Sequence, residues 1–271
     1  MGAAVDYEVE YNNRARVPEN PALMAGWASD AAAWRAQQAP RVIAYGSGAR
    51  HSIDLFGDGE GPIVVFIHGG YWQALDGSFF SHCARGLNAH GISVAVPTYD
   101  LCPAVTVGDI VGQMRNAARE LAKLGRPLVI SGHSAGGHLA ACLLATDWKA
   151  LDPSLSSDLI LAAYAISGLF DLVPLVETSI NKALRLDPES ARAASPLFWK
   201  VAARGSLDAV VGENESTEYF RQSSSVVERW GAAGLATRFG MVHGANHFTA
   251  IAPLADPGSS MVSRLKQLTG R

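Results

Sequence analysis

Cysteine is scarce in this chain. There are three residues, Cys83, Cys102 and Cys142, with no C-x-x-C pair. So odd and scattered a set argues against a disulfide framework and fits a reduced, cytoplasmic setting; Cys142, in an apolar run, reads as a core thiol. Charge is sparse too. Only 17% of residues are Asp, Glu, Lys or Arg, and the net charge is −3, so no basic surface stands ready to neutralise phosphates and nucleic acid is not an expected partner. Long apolar runs are missing: the longest, residues 159–166, is far too short to span a bilayer, and no membrane partner is expected. Residues 1–17 carry Asp6, Glu8, Glu10, Arg14 and Arg16 and no apolar h-region, so they do not read as a secretory signal. Internal repeats and low-complexity linkers are absent as well. What remains is a globular chain of 271 residues, 48% hydrophobic, a length ordinary for one α/β domain. We expect a single domain over 1–271, with 1–40 as an N-terminal helical segment that packs on the core or caps it.

The apolar pattern predicts the architecture. Residues 21–38 read as a helix. From residue 41 onwards, continuous apolar strands alternate with helices. Strands are expected at 62–67, 92–97, 128–131, 159–167, 207–212 and 235–242, and helices at 79–90, 107–124, from the 134–136 turn to about 150, and at about 254–268. Strands apolar on both faces, separated by helices, imply an α/β fold with a mostly parallel central sheet and helices on both faces. Chemistry in such sheets gathers beyond the carboxyl ends of the strands.

One stretch there carries a chemical signature. Ser131-Gly132-His133-Ser134-Ala135-Gly136-Gly137-His138 contains Gly132-x-Ser134-x-Gly136 between a predicted strand and a predicted helix, the context a nucleophile elbow needs. A serine on that turn presents its hydroxyl above the sheet, and the first N–H groups of the helix point at whatever it attacks. With 27 glycines in the chain, the same pattern also fits a plain glycine turn before a core helix, so its partners matter. A serine hydroxyl needs a base and a third group to orient the base, in the chain order serine, acid, histidine. His243 and His247 follow the strand at 235–242; His247, further from the strand end, is better placed to reach over Ser134, and His243 reads as a polar loop residue. As a metal pair, H-x-x-x-H lacks the glutamate of H-E-x-x-H, and Gly244 opposes the helix that pairing needs, so no metal is expected. For the acid, Glu213, Glu215 and Glu218 follow the strand at 207–212, and Asp171 follows the one before; spacing leaves all four open. His68-Gly69-Gly70-Tyr71-Trp72 follows the first strong strand, and its glycines let the backbone turn N–H groups into the site. Gly70 and Tyr71, with Ala135, are the expected oxyanion donors, each contributing about 3 kcal/mol to the transition state. His68 reads as a structural hydrogen-bonding residue. Trp72, Phe170 and Phe248 are candidate substrate contacts, although a hydrophobic core would use them equally well.

His68-Gly69-Gly70-Tyr71-Trp72 together with Gly132-His133-Ser134-Ala135-Gly136-Gly137-His138-Leu139-Ala140 resembles the kynurenine formamidase (arylformamidase) group of α/β-hydrolases, relatives of the hormone-sensitive-lipase-like esterases. Tyr11-Asn12-Asn13-Arg14, Ser167-Gly168-Leu169-Phe170-Asp171-Leu172 and Ala194-Ser195-Pro196-Leu197 extend the resemblance over most of the chain. It implies the α/β-hydrolase fold and a serine hydrolase that cleaves small esters or aryl-formamides through an acyl-enzyme without a cofactor. N-formylkynurenine is the sharpest substrate and general carboxylesterase activity the alternative. A non-catalytic binding protein on the same fold, or an acyltransferase, are the other outcomes. The family carries its acid before an Arg-Gln-Ser stretch; here Glu215 stands in that place ahead of Arg221-Gln222-Ser223, a glutamate where better-known members have aspartate. His247, before Phe248, takes the family's histidine position. The expected partner is a small ester or amide; the oligomeric state is open, a homodimer among the options.

Overall fold

Strands that are apolar on every position belong in the middle of a sheet, and they lie there. The computed structural model describes residues 5–201 and 204–271; the first four residues of the N-terminal stretch discussed above lie outside the described residues. Eight strands form one sheet: β1 (Arg41–Ala44), β2 (Ser52–Phe56), β3 (Ile63–Ile67), β4 (Val94–Pro97), β5 (Leu128–His133), β6 (Ile160–Ile166), β7 (Ser206–Gly212) and β8 (Ala236–Val242), in the order β1-β2-β4-β3-β5-β6-β7-β8. From β4 to β8 all neighbours are parallel, while β1 and β2 add an antiparallel edge. Central β3 and β5 are buried at every residue, as two-sided helical cover demands. The β1–β2 edge is missing from the sequence reading because these strands are short and half-covered: Ile53 and Leu55 are buried while Ser52 and Asp54 are only partly so, and Arg35 ion-pairs with Asp54 from a neighbouring helix.

The described helices are α1 (Tyr7–Tyr11), α2 (Asn13–Arg16), α3 (Asn20–Gln37), α4 (Arg85–Asn88), α5 (Val107–Ala122), α6 (Ala135–Leu144), α7 (Trp148–Leu151), α8 (Asn181–Leu184), α9 (Pro188–Ala193), α10 (Thr217–Ala232) and α11 (Ser260–Leu268). Helices α5, α6 and α10 bury apolar stripes on one face of the sheet, and α4 and α11 cover the other. Helix α5 starts where Thr106 and Asp109 form a reciprocal capping box, satisfying N–H groups that a helix start leaves without partners.

Three predicted helices have different bounds. The one at 79–90 begins earlier, because Asp76 caps Ser78 N–H, and runs as a 3-10 segment, Gly77–Ala84, before α4. The one after the elbow stops at Leu144, where Asp147 caps a separate turn, α7. The one at 254–268 is split into a 3-10 turn, Ala252–Ala255, and α11, which Ser259 caps; Pro257 between them has no N–H to carry a helix through.

Candidate active site

Ser134 is the hinge between β5 and α6. Its φ of 56° and ψ of −116° are a backbone conformation that a non-glycine residue adopts only under constraint. The constraint is the close crossing around it. A Cβ at Gly132 would collide with the Gly136 carbonyl, and one at Gly136 with the Ile67 carbonyl, so both small residues of the elbow are required by contact. Ser134 N–H is held by Ile166 O at 2.8 Å, which ties the turn to the end of β6.

The loops after β7 and β8 meet beside it. His247 Nδ1 lies 2.7 Å from Glu215 Oε2, with side chains 7% and 0% exposed. The other carboxylate oxygen of Glu215 accepts from Gly212 N–H at 2.7 Å and from the Ser167 hydroxyl. With Glu215 accepting at Nδ1, the imidazole carries its proton there and leaves Nε2 as an acceptor. His133 donates from Nε2 to the His247 carbonyl at 2.9 Å and fixes the histidine loop; burial, then the neighbouring His247, holds the His133 ring well below its ordinary pKa and so neutral.

The other acid candidates lie elsewhere. Glu213 accepts from Gly244 N–H and lies 3.6 Å from His243, which is 80% exposed. Glu218 is buried in a pair with Arg221 and accepts from Tyr11 Oη at 2.7 Å; burial opposes its charge, but Arg221 and Tyr11 outweigh that and lower its pKa. Asp171 faces Arg221 at 3.5 Å. His243 and His247 therefore point to different acids, and among the described residues no three His, Cys, Asp or Glu side chains converge as a metal site.

The loop after β3 runs along the same cleft. Gly70, Tyr71 and Trp72 all have positive φ, at 110°, 48° and 56°. A Cβ on Gly69 would come within 3.1 Å of Ser134 Cβ, and one on Gly70 would strike the Ala74 carbonyl. Among the described residues, neither the Gly70 nor the Tyr71 N–H donates a hydrogen bond to the backbone. Ala135 opens α6 directly after Ser134. His68 donates from Nδ1 to Gly69 O at 2.7 Å and stacks on Tyr99 at 4.1 Å; burial lowers its pKa to about 4.

These groups open into a cavity of about 420 Å³ that Gly69, Gly70, Tyr71, His133, Ser134 and His247 line from the sheet side. The N-terminal helices complete it with Tyr11, Asn13 and Arg14, and with Met24 and Trp27 of α3. Trp27 stacks on Phe248 at 5.8 Å and packs on Phe80 at 5.2 Å, giving the cavity an aromatic wall. Of the predicted substrate contacts, Phe248 lines the cavity. Trp72 and Phe170 do not: both are fully buried. Trp72 meets His138 edge-on at 5.0 Å, and Phe170 closes over Gly168. On this turn of consecutive left-handed residues, Tyr71 lines the cleft and Trp72 is buried in the core. Sequence reasoning missed Asn13, Trp27, Ser167 and Tyr219. Asn13 lay in a segment singled out only by resemblance, and Tyr219 shares a buried α10 face with Gln222, Ser223 and Val226, a helical spacing that could have marked it.

Comparison with known proteins agrees with this fold. A family model described as alpha/beta hydrolase fold matches residues 64–209. The kynurenine formamidase of Danio rerio is 30% identical over 241 residues, spanning 84% of this chain and 81% of that protein. That of Drosophila melanogaster is 29% identical over 248 residues, spanning 83% and 80%. Among solved structures, a proposed thioesterase from Silicibacter sp. TM1040 superposes with a TM-score of 0.86 at 34% identity, covering 96% of this chain and 98% of that one.

Proposed function

The chain belongs to the kynurenine formamidase-like α/β-hydrolases, a hydrolase of esters or aryl-formamides, and we propose that it works as a serine hydrolase with Ser134, His247 and Glu215 as its triad. The observation that carries this is the buried 2.7 Å contact of His247 with Glu215 in the cavity that also holds a serine on a strained strand-to-helix turn. Ser134 Oγ attacks the substrate carbonyl carbon while its proton passes to His247 Nε2. The carbonyl oxygen takes up the electron pair, and the N–H groups of Gly70, Tyr71 and Ala135 receive it. Collapse of the adduct breaks the bond to the leaving group, which takes the proton from His247. Water then repeats the sequence on the acyl-enzyme and releases the acid. Glu215 keeps the imidazole in the reactive tautomer and stabilises its protonated form.

The cavity supports an aryl substrate. Its volume of about 420 Å³ falls within the range of small-molecule sites, and Trp27, Phe80 and Phe248 offer a flat apolar wall to a leaving-group ring. Among the described residues no carboxylate lines it, while Arg14 does, which suits the carboxylate of N-formylkynurenine. We take an aryl-formamide of this kind as the substrate, a cytoplasmic setting from the three free thiols, and the N-terminal helices as part of the same functional unit.

Two measurements test this. A fluorophosphonate probe should label the protein, and Ser134→Ala should abolish labelling. A hydrolysis panel of N-formylkynurenine, p-nitrophenyl acetate and S-phenyl thioacetate should rank the formamide first by kcat/KM. Labelling that survives in Ser134→Ala rejects the nucleophile; a thioester ranked first rejects the substrate class.

A further inference from the structure

The turn carrying two of the three proposed oxyanion donors is strained, and its hold comes from far away in the chain. Tyr71 and Trp72 lie in the left-handed region, which side-chain-bearing residues avoid without compensation. Backbone contacts flank Tyr71 without reaching it: Gly70 O accepts from Gln73 N–H at 3.0 Å and Trp72 O from Cys102 N–H at 2.8 Å, and among the described residues none involves the Tyr71 backbone. Tyr71 itself is held through its hydroxyl. Tyr71 Oη donates to the Tyr11 carbonyl at 2.7 Å. A carbonyl only accepts, so the single hydroxyl hydrogen of Tyr71 is committed there. Tyr71 Oη must then accept from its two other neighbours, Tyr219 Oη at 2.8 Å and Asn13 Nδ2 at 3.2 Å. Asn13 directs Nδ2 to Tyr219 Oη as well, at 2.8 Å. The three groups thus have one consistent proton arrangement, with Tyr71 at its centre.

The clasp is itself anchored. Tyr11 Oη donates to Glu218 and accepts from Gln222 Nε2, each at 2.7 Å, so the N-terminal segment is bound to the helix that carries Tyr219. Both Asn13 and Tyr219 are buried, where a hydrogen bond has little competition from water. We propose that Asn13 and Tyr219 are positioning residues: acting through the Tyr71 hydroxyl, they hold the 70–72 turn so that its N–H groups meet the oxygen of the transition state. This rests on the serine-hydrolase reading above and assigns a role to the N-terminal segment, whose helices would otherwise only wall the cavity.

A positioning role of this kind has a particular kinetic signature. The ground-state substrate is held by the cavity walls, whereas the oxyanion forms only in the transition state, so loosening the turn lowers kcat and leaves KM in place. The test uses the full chain with p-nitrophenyl acetate as substrate and a phenyl trifluoromethyl ketone as transition-state analogue. Tyr71→Phe and Tyr219→Phe each remove one oxygen atom; Asn13→Ala is the third variant, should either of the others fold poorly. Each should lower kcat by about 10- to 100-fold, short of the loss from deleting a donor outright. KM should stay within about twofold, and the analogue should bind more weakly by the same factor as kcat falls. The Tyr71→Phe/Tyr219→Phe double variant should match the worse single one, because both act through one contact. The proposal is overturned if the folded variants keep wild-type kcat, if KM carries the change, or if the two losses multiply. The last result would place Tyr219 directly on Ser134 or His247, whose ring it touches with centroids 4.7 Å apart. Ser134→Ala, run alongside, separates the two ideas: retained turnover there rejects the serine-hydrolase reading, whereas its loss beside an unaffected Tyr71→Phe rejects the clasp alone.

Discussion

Replacing Glu215 by glutamine keeps the shape of the side chain, and its neighbours dictate how the amide must sit. One carboxylate oxygen accepts from Gly212 N–H at 2.7 Å and from Ser167 Oγ. A backbone N–H can only donate, so the amide oxygen has to occupy that position. The NH₂ group then faces His247 Nδ1, which lies 2.7 Å from the carboxylate in the native protein. A donor at that place requires Nδ1 to accept, and the ring proton moves to Nε2. An imidazole protonated on Nε2 cannot receive the proton of Ser134. The reverse orientation sets the amide N–H against the Gly212 N–H in a fully enclosed position, at a cost of about 1–3 kcal/mol, so the unreactive tautomer prevails. Such a tautomer lowers kcat about 10⁴-fold, near 5 kcal/mol of transition-state stabilisation. The assay is kcat for p-nitrophenyl acetate at neutral pH, with Glu213→Gln and Glu218→Gln measured alongside. Glu213→Gln should behave as wild type, because that side chain reaches only His243 and Gly244. A Glu215→Gln variant within about tenfold of wild type, or a larger loss at Glu213 or Glu218, would refute the reasoning.

Ser134→Ala and His247→Ala should each lower kcat by about 10⁶-fold and together no further, since they act as one unit, while His243→Ala leaves turnover intact; a severe loss at His243 instead would reassign the base. Acid should unfold the protein early. Burial lowers His68, His82 and His138 from 6.5 to about 4, so between those values the unfolded chain binds protons that the folded one does not. The stability held by the neutral rings is complete above pH 6.5 and is lost as pH falls towards 4, roughly 3 kcal/mol for each fully enclosed ring. Urea melts from pH 7 to pH 4.5 should show a steep fall in midpoint, and a flat profile would contradict it. Short acyl groups should be cleaved best, because Tyr71, which lines the same cavity as Ser134, is held by three hydrogen bonds and does not swing away freely; a p-nitrophenyl ester series with its maximum at octanoate or beyond would show that the pocket is open.

Features decided by neighbouring residues were legible in the linear chain. The strands at the centre of the sheet are unbroken apolar runs because both of their faces are covered, and the elbow is a contiguous strand, turn and helix whose glycines are required by contacts within a few residues. The rule that chemistry lies beyond the carboxyl ends of parallel strands then directed attention to 68–72, 213–218 and 243–247. The acid was different. Glu213, Glu215 and Glu218 sit within one loop and helix start, and local physics does not separate them; resemblance pointed to Glu215, and the fold brings that carboxylate against Gly212, His247 and a serine 48 residues earlier. The aromatic residues were equally ambiguous, because Tyr71 and Trp72 are adjacent and only on the folded turn does one line the cavity and the other lie in the core. Helical spacing marks Tyr219 as buried, but its pairing with Asn13, 206 residues away in the chain, and the place of Trp27 at the cavity have no local signal. The chain by itself determined the parallel strands, the long helices between them and the strand ends where chemistry belongs, since periodicity and turn sterics act over a few residues. Which side chains meet there was decided only by tertiary packing, since hydrogen-bond partners and cavity walls are selected among segments that the linear order keeps far apart.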